Sequence, residues 1–225
     1  MDGLDLSMAI LRSIQVGLPR RLGDGESPGG TNRAWTTGFV KEAVAGPVWL
    51  GRTNLAGDGQ ADREHHGGPE QAVLAYGAEH YPRWRAELGR PDFPHGAFAE
   101  NFTIAGLDEG TVCVGDSYAV GGARVQVSQP RVPCWKIARR WGMPDLTKRV
   151  ERTGRTGWYL RVLEEGEVAA GQAVTLFDRP YPEWTIARAH AAMRNRLRNS
   201  EEAAALAACP LLAPTWRAVL TDTGR

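Results

Sequence analysis

At 225 residues the chain can bury a full-sized core, and its 27 lysines and arginines against 26 aspartates and glutamates leave a formal net charge of +1. That balance sets up no global field for a nucleic acid polymer or an anionic membrane, so any basic recognition must be local. Three cysteines form no even-numbered disulfide framework, and the acidic, interrupted start MDGLDLSMAILRSIQVG has the character of neither a signal peptide nor a membrane span. A cytoplasmic protein is expected.

Along the chain, ILRSIQVG, WTTGFVKEAV and GPVWLG read as short strands separated by glycine, and the polar GDGQADREHHGGPEQ reads as a loop leading into the apolar AVLAYG. EHYPRWRAEL sets Tyr81, Trp84 and Leu88 at helical spacing, and RPDFPHG ends it. FAENFTIAG, TVCVGDSYAVG, ARVQVSQ, GWYLRVLEEG and GQAVTLF continue as strands with glycine turns. Many short strands with few long helices favour a β-barrel or sandwich over a doubly wound sheet. One mainly β domain over 12–178 follows. Beyond Pro180 and Pro182 the composition shifts to helix formers: TIARAHAAMRNRL, SEEAAALAA with Ser200 as N-cap, and PTWRAVLTD make a three-helix extension over 183–225. Trp184, Ile186, Leu197, Leu206 and Leu212 are its expected apolar face, because short helices are marginal in water without packing.

The chemistry centres on QPRVPCWK. The strand before it alternates Ala123, Val125 and Val127 against Arg124, Gln126 and Ser128, and Pro130 and Pro133 stop it. WKIARRWG then reads as a helix with Pro133 at its first position and Gly142 past its end. Cys134 therefore sits at a strand-to-helix turn, where backbone N–H groups and the cations Arg131 and Lys136 favour the thiolate. Cys113 and Cys209 lie in apolar runs and read as packing.

Polar residues gather in two further turn-rich places, GDGQADREHHGG and GAFAENF. Each has a plain local use. The glycines serve turns, His65 and His66 lack helical zinc spacing, and Glu100 and Asn101 can cap a turn. Asp58 and Asp62 suit Asx turns, and Arg20, Arg21, Arg139 and Arg140 suit solvent. GxxxxGK[ST], GxGxxG and CxxC are all absent from the sequence. A nucleophile triad of Cys134, His66 and Asn101 stays open, since geometry rather than chain order defines one.

Taken together, VGLPRRL, TTGFVKEAVAGPV, GDGQADREHHGGPEQAVLAY, GAFAENFTIAGL, VCVGD and VSQPRVPCWK resemble the ordered motifs of MOSC-domain proteins, in the YiiM-like branch, from about Ile14 to Phe177. The helical tail resembles that branch's three-helix extension. Ala99 stands where the GENxT-like motif has glycine, and Ala43 where the KxPV-like motif has proline. The resemblance implies a β-barrel binding the molybdenum cofactor, a molybdopterin, with Cys134 as thiolate ligand to the metal. A soft thiolate suits that metal's sulfur-rich shell. Arg131, Lys136 and Lys41 are candidates for the cofactor phosphate, and Gln60, Asp62, His66, Glu100, Asn101 and Gln129 for its pterin edge or for substrate oxygen. The implied activity is reduction of small N-hydroxylated compounds, such as N-hydroxylated purine bases, to amines. Electrons would come from a separate donor protein, and a homodimer is compatible with the sequence. Two other readings of Cys134 remain, a non-catalytic cofactor or sulfur carrier and a cysteine hydrolase.

Overall fold

The computed structural model of the protein describes residues 9–23, 34–64 and 66–222; the extreme N-terminus and His65, read above, lie outside them. Strands β1 (Ile10–Val16), β2 (Arg20–Leu22), β3 (Trp35–Thr37), β4 (Glu42–Ala43) and β5 (Val48–Leu50) precede a 3-10 turn at Pro69–Gln71 and β6 (Val73–Gly77). Helix α1 (His80–Leu88) leads to β7 (Phe102–Ala105) and the hairpin of β8 (Ser117–Val120) and β9 (Ala123–Pro130). Helices α2 (Lys136–Trp141) and α3 (Leu146–Thr153) come before β10 (Trp158–Glu164), β11 (Gly166–Val168) and β12 (Val174–Asp178). The chain ends in α4 (Ile186–Arg194), α5 (Ser200–Ala207) and α6 (Pro214–Thr221).

Eight strands form one sheet in the order β12, β8, β9, β10, β6, β7, β1, β4. Among the described residues only β6 and β7 pair parallel, and a parallel pair needs a crossover, which α1 and its loops supply. The sheet curls until its ends meet: Leu11 N–H donates to Gln172 O at 2.9 Å and Val174 N–H to Ala9 O at 2.8 Å. The expected mainly β, barrel-like architecture with short helices is thus present.

Two apolar clusters hold it. The larger fills the curled sheet and runs without a break from Leu11, Val73 and Phe102 to Trp184, Ile186, Leu206 and Trp216 of the C-terminal helices. The smaller is aromatic: Tyr76, Tyr81, Trp84, Phe93 and Phe98 pack against Ile137, Leu146 and Val150. It pins α2 and α3, and with them the segment that carries Cys134.

Local expectations differ at several points. WTTGFVKEAV is broken into β3 and β4 at Gly38, where an added Cβ would lie 2.1 Å from the Gly59 carbonyl oxygen. TVCVGDSYAVG begins as a turn, closed by Cys113 N–H donating to Asp116 Oδ2 at 2.8 Å, so Cys113 precedes the strand rather than lying in it. Beyond Arg124, which is exposed, strand β9 is buried on both faces, because α4 and the 3-10 turn at Pro69–Gln71 cover the side that alternation left to solvent. Helix α2 starts three residues after Pro133, with Trp135 as its N-cap. In α5 the cap is Asn199, whose side chain accepts from Glu202 N–H, not Ser200. Leu197 is 72 % exposed, while Trp184, Ile186, Leu206 and Leu212 are buried as expected.

Candidate functional site

The turn after β9, the loop after β5 and the segment after β3 surround one cleft that opens to solvent. Cys134, His66, Asn101 and Arg131 all line it, and so do Lys41, Gln60, Asp62 and Lys136. Glu100 and Gln129 do not.

Cys134 is a free, half-buried thiol. Its carbonyl accepts from Ile137 N–H at 3.2 Å and from Thr147 Oγ1 at 3.2 Å, so α2 and α3 jointly fix its backbone. Arg131 is 3 % exposed, and its guanidinium donates to the carbonyls of Phe98 (3.0 Å) and Thr156 (3.5 Å). Among the described residues no carboxylate pairs with it. A buried cation whose own protein offers only carbonyl dipoles leaves the cleft attractive to an anion. Lys136, less buried, also has no carboxylate partner among the described residues. His66 Nδ1 lies 3.7 Å from Asp62 Oδ2, and the His66 N–H donates to Asp62 O at 3.2 Å.

Three candidates take different roles from those proposed on sequence. Asn101 faces the cleft, but its amide is committed: Oδ1 accepts from Leu74 N–H (3.1 Å), and Nδ2 donates to Gln15 O (3.1 Å) and Asp58 Oδ2 (3.0 Å). It ties β6 to β1 and positions the wall rather than acting on a substrate. Glu100 is wholly buried behind that wall, where its carboxylate accepts from Tyr81 Oη, Gly96 N–H (2.6 Å), Phe98 N–H (3.1 Å) and Thr103 Oγ1 (3.1 Å). Burial pushes its acid dissociation above the usual carboxylate range, against the pull of those donors. Gln129 is 4 % exposed in β9 and off the cleft, with its Oε1 unpartnered among the described residues. Strand pairing, which sets its side chain within the sheet, explains why sequence proximity to Cys134 misplaced it.

Lys41 reaches the cleft but is ion-paired with Asp58, and burial lowers its ammonium dissociation while Asp58 works against that shift. Asp58 was read as a turn residue; it also accepts from Gly17 N–H at 2.9 Å and so organises three segments. Two further residues were missed. Gln71 lines the cleft with a buried Oε1 that no donor reaches among the described residues. Tyr159, in β10, lines it too; its phenol has no hydrogen-bond partner among the described residues, and burial raises its dissociation, with Arg131 and Cys134 as smaller influences opposing one another. The only sequence signal for Tyr159 was the alternation of GWYLRVLEE, which marks a strand but not which wall it faces.

The cleft's backbone bears on one of the two departures from the motifs, Ala99. Ala99 has φ +65°, the only described residue other than glycine in the left-handed region. Glycine is the residue that region favours.

Comparison with known proteins gives a match to the MOSC domain over residues 62–175, just over half of the chain. The chain is 50 % identical over 143 residues to the uncharacterized protein YflK of Bacillus subtilis, covering 64 % of this chain and 64 % of that protein. A protein named "Reductase" from Gibberella moniliformis is 40 % identical over 164 residues, covering 72 % of this chain but 29 % of its own length. The chain therefore spans less than two thirds of the curated relatives it matches here. Among solved structures, YiiM from Geobacillus stearothermophilus superposes with a TM-score of 0.77 at 35 % identity, over 94 % of this chain and 97 % of that one. Six ordered motifs, the curled sheet with its C-terminal helices and these matches lead to one assignment: the chain belongs to the MOSC-domain family, in its YiiM-like branch.

Proposed function

We propose that the protein is a molybdenum cofactor-dependent reductase that converts small N-hydroxylated compounds, N-hydroxylated purine bases among them, to amines with electrons from a separate donor protein. The observation that carries this reading is the meeting, in one cleft, of a free half-buried thiol at Cys134 with the buried, carboxylate-free guanidinium of Arg131. The residues present fit the cofactor. Cys134 offers the soft ligand, Arg131 and Lys136 the positive charge for a phosphate, and the unpartnered Gln71 Oε1 an acceptor for a ring N–H. Family membership and the relative named "Reductase" support the redox class.

When bound, the group supplies the two-electron redox change that cleaving an N–O bond requires. Conversion of N–OH to N–H with release of water consumes two electrons and two protons. The chain's own part is to bind and orient. Asn101 and Asp58 hold the wall, Arg131 neutralises negative charge, and the Tyr159 phenol, protonated because burial raises its dissociation, offers a hydrogen bond to substrate oxygen. His66 lines the opposite loop beside Asp62 and is placed to contact a ligand. The hydrolase reading loses its support, because a triad needs an orienting residue and the Asn101 amide is already committed to Leu74, Gln15 and Asp58.

The test is to prepare the protein in a host that makes the cofactor, measure bound molybdenum per chain, and assay an N-hydroxylated base with dithionite as reductant. Stoichiometric metal with turnover is expected. Metal without turnover on any N-hydroxylated compound would instead favour a carrier, and absence of metal would end the proposal.

A further inference from the structure

The residues on either side of the Cys134–Pro133 turn are apolar and exposed, Val132 (59 %) where it lines the cleft and Trp135 (55 %) beside it. Trp35, which opens β3, meets Trp135 with ring centroids 5.6 Å apart and planes tilted by 46°. Arg139, one helical turn beyond Trp135, lays its guanidinium over both rings, 4.9 Å from the Trp35 centroid and 5.5 Å from that of Trp135. Cation and rings thus brace one another, and a tryptophan left half in water is held in a fixed attitude rather than free to turn. Its backbone is fixed as well, since Trp135 O accepts from Arg139 N–H at 3.2 Å. One peptide bond joins this platform to the thiol in the cleft. A ring resting on Trp135 would therefore hold its substituent at a set distance from Cys134.

We propose that Trp135, backed by Trp35 and Arg139, is a stacking platform for the planar heteroaromatic ring of a ligand whose reacting group enters the cleft at Cys134. The proposal rests on the reductase reading for the identity of that group: the ring is the substrate's, so the site takes N-hydroxylated heteroaromatic bases in preference to aliphatic N-hydroxy compounds. Stacking on an indole requires a flat π-face and tolerates different hydrogen-bond patterns, so the platform selects planarity rather than one base. A substrate and a pterin both carry such a ring. The position favours the substrate, because Trp135 lies on the rim while the thiol, Arg131 and Gln71 line the cleft itself.

The experiment compares wild type, Trp135→Ala and Trp135→Phe. Equilibrium dialysis with adenine, a planar amine that cannot be reduced further, is run on the protein without cofactor and on the cofactor-loaded protein. Adenine should bind both forms, about tenfold more weakly after Trp135→Ala and nearly normally after Trp135→Phe. With dithionite as reductant, the preference in kcat/KM for an N-hydroxylated purine base over N-hydroxyurea should fall by a similar factor in Trp135→Ala alone. Adenine binding that ignores the alanine substitution overturns the platform. Loss of adenine binding on loading the cofactor, together with poor cofactor retention by Trp135→Ala, would assign the ring to the pterin and overturn the substrate assignment. If wild type reduces neither compound the reductase reading fails by itself, and dialysis still decides the platform.

Discussion

Lys41 and Asp58 form an ion pair inside the cleft wall, with only 6 % and 0 % of their side chains exposed. Asp58 also holds Gly17 and Asn101, so one carboxylate joins the start of the chain, the β3–β4 segment and the β6–β7 connection. Removing it strands a buried ammonium. Asp58→Ala should cost about 3–5 kcal/mol in urea unfolding, and adding Lys41→Met should recover part of that by removing the unpaired charge. An unchanged midpoint for the single variant would show the pair to be dispensable.

Ala99 holds a backbone shape that costs an L-residue roughly 1–2 kcal/mol, whereas glycine adopts it freely at the expense of some extra chain entropy. Ala99→Gly should therefore stabilise the fold by about 0.5–1 kcal/mol, raising Tm by roughly 1–4 °C for a chain of this size. Calorimetry checks it, and a lower Tm would mean that the methyl group's contacts outweigh the strain.

Cys134→Ser should abolish reduction of an N-hydroxylated base while leaving Tm near wild type, because a hydroxyl is neither soft nor ionised at neutral pH and the thiol is half-buried in a turn rather than packed in the core. Cys113 and Cys209 are 2 % and 3 % exposed, so their serine variants should lower Tm and spare turnover per folded molecule. Wild-type turnover by Cys134→Ser would return this residue to packing.

Tyr159→Phe removes a hydroxyl that no group among the described residues uses. Unfolding free energy should change by less than about 0.5 kcal/mol, whereas KM for the N-hydroxylated substrate should rise roughly three- to tenfold, the worth of one neutral hydrogen bond. Unaltered kinetics would place substrate oxygen elsewhere.

His190, buried in α4 near Arg194, Glu151 and Glu109, has its dissociation lowered, chiefly by burial and then by Arg194. Its folded value lies below the unfolded one, so as pH falls the unfolded chain takes up the proton first. Stability is then full above about pH 6.5 and declines below it. Urea midpoints between pH 7.5 and 5.5 should fall less steeply for His190→Gln than for wild type. Parallel slopes would rule out this histidine as a source of acid sensitivity.

Sequence by itself determined the strand-rich class, the place of Cys134 between strand and helix, and the three C-terminal helices, because each depends on local periodicity, proline and glycine punctuation, and motif order. It also determined the loops that face the cleft: His66, Arg131 and Cys134 converge there although far apart in the chain. Tertiary structure alone decided what each polar group does. Asn101, Glu100 and Asp58 are equally polar on paper, yet folding places the first in the wall, the second behind it in a cage of donors, and the third against Lys41. Hydrogen-bond capacity is finite, and which neighbours take it up depends on strands that meet from distant parts of the chain. The same reason hid Tyr159 and Gln71, whose spare polar atoms meet no partner among the described residues, and Leu197, whose helical neighbours pack while it faces water.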